Sequence, residues 1–150
     1  MRRARLHALF GMLGVVCFVV ATAGFDVIAR LGVAGEPLRT AVTRSLHQVF
    51  AQPVGTLMLL APFIGAAALS AEVAKASNMA AGWIFFGLVA GVLGGLYFSG
   101  HWGAQVALGQ RSWTAAALSV GMLPFRSIPV LLAAAVCAGL VAWRSPQRGP

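Results

Sequence analysis

Charged side chains are scarce in this chain, and acidic ones are scarcest. Of its 150 residues only 9% are charged, and Asp26, Glu36 and Glu72 are the three acids. Soluble domains carry about 25% charged residues. A water-soluble core of this length could not bury a chain that is 59% hydrophobic with a mean hydropathy of +0.86. The shortage of charge therefore argues against a soluble domain and favours a protein that lipid solvates.

Short patterns that carry common enzyme chemistry are also missing. The sequence contains no GxxxxGK phosphate loop, no GxSxG nucleophile elbow and no HExxH zinc motif. Cys17 and Cys137 lie in apolar runs without a CxxC spacing, so we expect reduced, buried thiols. His7, His47 and His101 fall in three separate predicted connectors, which disfavours a haem or zinc site. We expect a non-enzymatic protein with no catalytic residue, cofactor or metal.

Long apolar runs dominate what is present. The run from Ala80 to Gly100 has no charged residue, and at about 1.5 Å per residue it would extend roughly 31 Å. That length matches the ~30 Å hydrocarbon core of a bilayer. The sequence predicts an all-α, polytopic membrane protein with one integral membrane domain over residues 1–150. Its four predicted transmembrane helices cover residues 6–28, 53–74, 80–100 and 113–143.

An amphipathic segment separates the first two runs. Over residues 38–50 one side carries apolar residues and the opposite side carries basic and polar ones. This pattern predicts an interfacial helix in the headgroup layer. The helix either binds anionic lipid or a partner, or serves only as a connector.

The last apolar run is too long for one straight crossing. Its 31 residues would form a helix of about 46 Å, and Pro124 and Pro129 predict a break between them. One interpretation is a long fourth helix broken near one interface. The other is a surface or re-entrant piece over residues 113–123, followed by a span that begins at Ile128.

Three glycines form the most distinctive packing pattern. Gly87, Gly91 and Gly95 stand four apart and so share one face of the third predicted helix. Small residues let helices approach closely in lipid, where the hydrophobic effect gives no preference for protein contacts. We predict that this GxxxG face packs either against the small residues at 65–71 of the second span or against another subunit.

Each of the three acidic residues lies at the end of a predicted span or in a connector and has a basic residue three or four positions later. Asp26 and Arg30 stand four apart, and Glu72 and Lys75 stand three apart. Pairs with these spacings share a helix face. We predict that both are interfacial ion pairs, and that Glu36 pairs in the same way with Arg39.

Arg126 is the most unusual charged residue, because it lies inside the last apolar run between two prolines. A charge in such a place is costly unless it reaches water, lipid phosphate or a carboxylate. We predict either that its side chain extends to the membrane interface or that it contacts an anionic substrate or a partner subunit.

Topology is weakly specified. With four spans, six basic residues fall on the side of both termini and five on the other, which favours cytoplasmic termini under the positive-inside rule. The composition suits a bacterial inner membrane. Ala21-Thr22-Ala23 also gives residues 6–28 the shape of a cleavable signal peptide.

These observations lead to two functional hypotheses. The first is an accessory or scaffold subunit of a membrane complex, whose partners are the lipid bilayer and other membrane subunits or further copies of the chain, and not nucleic acid. The alternative is a small-solute transporter or channel that works as an oligomer. A polar cavity lined by Thr56, Ser119 or Arg126 would favour transport, and a solid apolar core would favour the scaffold.

Overall fold

The computed structural model describes residues 2–144, with side chains from residue 4 onward. Within this part of the chain every regular element is helical. The elements are α1 (Arg2–Val19), a π-helical segment (Val20–Gly24), α2 (Phe25–Gly32), α3 (Leu38–Ala51), α4 (Pro53–Ala76), α5 (Met79–Gly109), α6 (Trp113–Gly121) and α7 (Leu123–Arg144). The basic residues of the predicted termini, Arg2, Arg3 and Arg148, lie outside the described side chains.

Four helical stretches are long and apolar enough to cross a membrane. They cover Ala4–Gly32, Pro53–Ala76, Met79–Gly109 and Trp113–Arg144. The prediction of an all-α, multi-pass protein with four spans and a separate helix near residues 38–50 is therefore confirmed. The first stretch joins α1, the π-helical segment and α2, and the fourth joins α6 and α7.

The third span is longer than predicted. The helix was expected to end at Gly100, but α5 continues to Gly109. Gly100 is buried where α7 begins, and a Cβ at this position would lie 2.7 Å from a methyl group of Leu123. Gly100 therefore permits a close helix contact instead of ending a helix. As a result, His101 lies inside α5 and not in a connector.

The break in the fourth span lies just before the predicted prolines. Helix α6 ends at Gly121, Met122 separates the two helices, and α7 runs through both Pro124 and Pro129. Pro124 occupies the first turn of α7, where its missing N–H is not needed. Ala116 of α6 packs against Ala104 and Ala107 of α5. This packing favours the broken long helix over a separate surface piece.

The main core lies between α1, α4, α5 and α7. Phe63 makes edge contacts with Phe18 and Tyr97, at ring-centroid distances of 6.3 and 5.1 Å. Leu93 and Leu123 are fully buried in the same cluster. Tyr97 is also fully buried, and its hydroxyl donates to the Leu59 carbonyl at 2.7 Å.

The turn between α4 and α5 is built by local caps and close packing. The Asn78 side chain is the N-cap of α5 and accepts a hydrogen bond from the Ala81 amide at 2.8 Å. One turn further on, a Cβ added to Gly82 would lie 2.5 Å from the Cβ of Ala74 and 3.0 Å from the Ser70 carbonyl. The small residues of α4 thus meet Gly82 rather than the predicted glycine face.

Candidate functional site

The π-helical segment lies between α1 and α2 and determines which side of α2 faces the bundle. The amide of Phe25 reaches the carbonyl of Val20, five residues back. Such a widened turn accommodates one extra residue in a helix. The buried residues are Phe10, Gly14 and Phe18 before the segment, at α-helical spacing, and Ala21 and Thr22 within it. Beyond it they are Asp26, Ala29 and Arg30, which is that pattern shifted by one residue.

Asp26 is the centre of a buried polar network between α2 and α5. Its Oδ2 accepts from Arg30 Nε at 2.7 Å, and its Oδ1 accepts from Gln105 Nε2 at 3.3 Å. His101 Nδ1 lies 3.8 Å from Oδ1. All four residues are between 6% and 7% exposed. Ionic groups withdrawn from solvent in this way are tolerated only when they are paired and hydrogen-bonded.

The network continues from Arg30 to the interfacial helix. Arg30 donates from one terminal nitrogen to Gln48 Oε1 of α3 at 2.9 Å, and its other terminal nitrogen lies 3.6 Å from Glu36 Oε1. Arg44 of α3 donates to the same Glu36 oxygen at 2.8 Å. Ser45 also joins α3 to the first span, because its hydroxyl donates to the Ala23 carbonyl in the π-helical segment at 3.2 Å.

Two buried atoms of this region have no hydrogen-bond partner among the described residues. They are His101 Nε2 and Glu36 Oε2. The described residues hold no group of three or more His, Cys, Asp or Glu side chains able to ligate a metal. The network's hydrogen bonds and ion pairs join α2, α3 and α5 to one another.

Both of the i, i+3 and i, i+4 ion pairs predicted at the ends of the spans form. Asp26 and Arg30 make the buried pair just described, and Lys75 Nζ contacts Glu72 Oε1 at 2.7 Å with His7 3.3 Å from the same oxygen. The third expectation is wrong: Glu36 pairs with Arg44 instead of Arg39. Glu36 precedes the extended residue Pro37 and lies outside α3, so helical spacing does not relate it to Arg39.

His101 and Gln105 were missed as partners of Asp26. Tyr97, His101 and Gln105 stand four apart and are all buried. This spacing continues the buried face of α5 with polar residues. It was the feature of the sequence from which both partners could have been predicted. The assumption that the helix ends at Gly100 concealed it.

The glycine face has no partner within the described chain. Gly87, Gly91 and Gly95 are exposed, and apart from adjacent residues and the nearby backbone of α5 itself, no described atom lies within 4 Å of a Cβ built at any of them. The structure therefore does not place this glycine face against residues 65–71 of α4, which was one of the two predicted arrangements. Gly91 and Gly95 instead line one side of an open apolar groove of about 400 Å³, and Val16, Cys17 and Val20 line the other.

Residues expected to form a transport pathway do not converge. The Thr56 hydroxyl donates to the Val49 carbonyl, and the Ser119 hydroxyl donates to the Ala115 carbonyl. Arg126 is exposed on the outer side of α7. None of these three residues lines the apolar groove or the polar pocket beside α3. Whether Arg126 contacts headgroups, a substrate or a partner stays a prediction.

The fold defines the class of this protein as a multi-pass, α-helical membrane protein. No protein-family model, no curated protein and no solved structure matches the chain.

Proposed function

We propose that this protein is a non-enzymatic accessory or scaffold subunit that binds another membrane protein through the face formed by Gly87, Gly91 and Gly95. Its other partner is the lipid bilayer, and nucleic acid plays no part. We place it in a bacterial inner membrane with both termini in the cytoplasm, as the composition and the distribution of basic residues favour.

The uncovered glycine face is the observation that carries this proposal. Its three residues span about 12 Å along α5 and meet no atom within 4 Å in the described chain. Elsewhere the same bundle uses glycines for close contacts, as at Gly14, where a Cβ would lie 2.9 Å from the Phe63 carbonyl oxygen. A second helix on α5 would give the three exposed glycines the close contact that drives association in lipid.

The transporter alternative has less support. The space between the spans is filled by Phe63, Leu93 and Tyr97. The buried residues Asp26, Arg30, His101 and Gln105 lie together beside α3. The buried serine and threonine hydroxyl groups within the spans donate to carbonyls one turn back in their own helices, at Thr22, Ser70 and Ser127. A solute pathway usually needs polar groups near the bilayer midplane.

The proposal is tested by substituting Gly91→Leu in the full chain, with Gly139→Leu as the matched control. Gly139 lies on α7, is exposed, and likewise has no described atom within 4 Å of an added Cβ. Each tagged protein is expressed in its native membrane, crosslinked and extracted in mild detergent. The mass and composition of the resulting complex are then measured. We expect the wild type and Gly139→Leu to form a complex of fixed ratio with another membrane protein. Gly91→Leu should form about tenfold less of it, which corresponds to ~1.4 kcal/mol.

Helical content measured by circular dichroism checks that both variants fold. A complex made only of copies of this chain, lost in Gly91→Leu, would replace the accessory role with self-association. A wild type that remains a lone monomer, or equal behaviour of the two variants, would contradict the proposal.

A further inference from the structure

A polar pocket lies beside α3, where the interfacial helix meets the end of the first span. It has a volume of about 410 Å³ and is lined by Arg30, Thr43, Arg44, His47 and Gln48. Each lining side chain carries a hydrogen-bonding group at its end, and most of the surface that these side chains expose to the pocket is carbon. The proposed accessory function makes no use of this pocket.

The orientation of α3 places the pocket at the depth of lipid headgroups. Ala41 and Ser45 are buried against the bundle. On one flank of this buried face, large apolar side chains are exposed: Leu38, Val42, Leu46 and Phe50. The pocket lies on the opposite, polar flank. A helix with this division lies in the interfacial plane with its apolar flank among acyl chains, so its polar flank faces phosphates and water.

Several donors in the pocket are available to a ligand. Gln48 accepts from Arg30 through its carbonyl oxygen, which leaves its amide N–H groups for a ligand. Arg44 is 62% exposed at its side chain, and its one ion pair uses a single terminal nitrogen. The remaining guanidinium N–H groups form the planar fork that matches a phosphate.

The charges around the pocket are balanced. Arg30 is compensated by Asp26 and by the nearby Glu36. Glu36 also contacts Arg44, so two carboxylates face two guanidinium groups. An anion would therefore be held by the free N–H donors of Arg44, while Arg39, five residues earlier on α3 and outside the pocket lining, adds one positive charge to this end of the molecule.

We infer that the pocket beside α3 binds the phosphate of an anionic phospholipid headgroup, with Arg44 as its principal ligand and His47 and Gln48 as further contacts. Basic pockets of this kind at helix ends recognise anionic lipid headgroups. The inference depends on the membrane embedding and not on the identity of any protein partner.

Native mass spectrometry of the full chain, released from nanodiscs made of equal parts phosphatidylglycerol and phosphatidylcholine, tests this inference. We expect the wild type to retain phosphatidylglycerol in preference to phosphatidylcholine. Arg44→Gln should lower the retained phosphatidylglycerol about tenfold, because it removes a charge-assisted hydrogen bond to the phosphate as well as one surface charge. Arg44→Lys should recover part of the loss, because it keeps the charge and removes the fork.

Arg39→Gln is the matched control, because it removes the same charge from the same helix outside the pocket lining. Equal losses in Arg39→Gln and Arg44→Gln would show general surface attraction and overturn the inference. His47→Gln combined with Thr43→Val leaves the Glu36–Arg44 pair intact and provides a second test if Arg44→Gln does not fold; unchanged lipid retention in this pair would also overturn it. Millimolar inorganic phosphate should leave the retained lipid in place, and displacement of the lipid would assign the pocket to a soluble phosphate compound instead.

Discussion

The ion pair of Asp26 and Arg30 depends both on their spacing along one helix and on the packing of that helix against its neighbours. Their separation of four residues brings them together on one helix turn. Their stability, however, depends on groups from other helices, because Gln105 donates to Asp26 and Gln48 accepts from Arg30. A pair buried this deeply is stabilising only in the presence of such partners.

For these residues we predict that removing one member of the Asp26–Arg30 pair strongly lowers the free energy of unfolding, and that removing both members costs less than the two separate removals would suggest. Asp26→Leu leaves Arg30 buried with Glu36 at 3.6 Å as its nearest carboxylate, and should lower the free energy of unfolding by about 3 kcal/mol. The double variant Asp26→Leu/Arg30→Leu should lose less than the sum of the two single variants. Reversible unfolding in mixed micelles measures these differences.

Glu72→Gln is the control for that series. Its ion pair with Lys75 is exposed, with 57% of the Glu72 side chain accessible, so its removal should change the free energy of unfolding by less than about 1 kcal/mol. Additive losses at Asp26 and Arg30 would mean that the two side chains do not act as a pair.

The pair itself could be predicted from the sequence, whereas the rest of its network could not. The i, i+4 spacing of Asp26 and Arg30 is a local property. The contact with Gln105 joins residues 79 positions apart and requires the right rotation of two helices. That rotation depends on the π-helical segment, and nothing in the run from Val20 to Gly24 distinguishes it from ordinary apolar helix.

The π-helical segment is the feature of greatest consequence among the elements. It shifts the buried face by one residue, so Asp26 faces α5 where uninterrupted α-helical spacing would turn Phe25 inward. Deleting Val20, which is 54% exposed, would convert the segment to regular helix while keeping Asp26, Ala29 and Arg30 on the buried face.

We therefore predict that the Val20 deletion changes the free energy of unfolding by only about 1 kcal/mol, in the range of an ordinary surface change. Inserting one alanine after Val20 should be far more harmful, because it rotates Asp26 and Arg30 by about 100° away from their partners. Unfolding in mixed micelles compares the two, and crosslinking between cysteines placed at residues 26 and 105 reports the rotation. A deletion as harmful as the insertion would refute this account.

Element boundaries were predictable to different degrees. The prolines at 124 and 129 marked the interruption of the fourth span within a few residues, since proline has a fixed local effect. The helix end predicted at Gly100 was wrong because glycine occurs both at helix ends and at close contacts between helices. Only the neighbouring Leu123 decides between these two roles, and it is 23 residues away along the chain.

For the whole molecule, composition and run length were sufficient to predict the fold class. Lipid imposes complete internal hydrogen bonding on any segment within it, so four apolar runs of adequate length become four helices. The faces on which those helices meet were not predictable in the same way. The glycine repeat on α5 was expected to pack within the monomer or against a partner, and the observed contacts use Gly14, Gly82 and Gly100 instead.

The unequal lengths of the spans have a mechanical consequence for the surrounding membrane. Helix α4 has 24 residues, α5 has 31 and the joined α6–α7 stretch has 32, which correspond to about 36, 46 and 48 Å. Lipids beside α5 and α6–α7 therefore stretch, or those helices tilt, or their ends extend beyond the hydrocarbon core, while lipids beside α4 can remain relaxed. We predict that thermal stability in phosphatidylcholine vesicles rises from short to intermediate acyl chains and peaks above the chain length that suits α4 alone. An optimum in the thinnest bilayer would show that the long helices lie strongly inclined. If the optimum lies in thicker bilayers, the protein should partition into the thickest regions of its membrane.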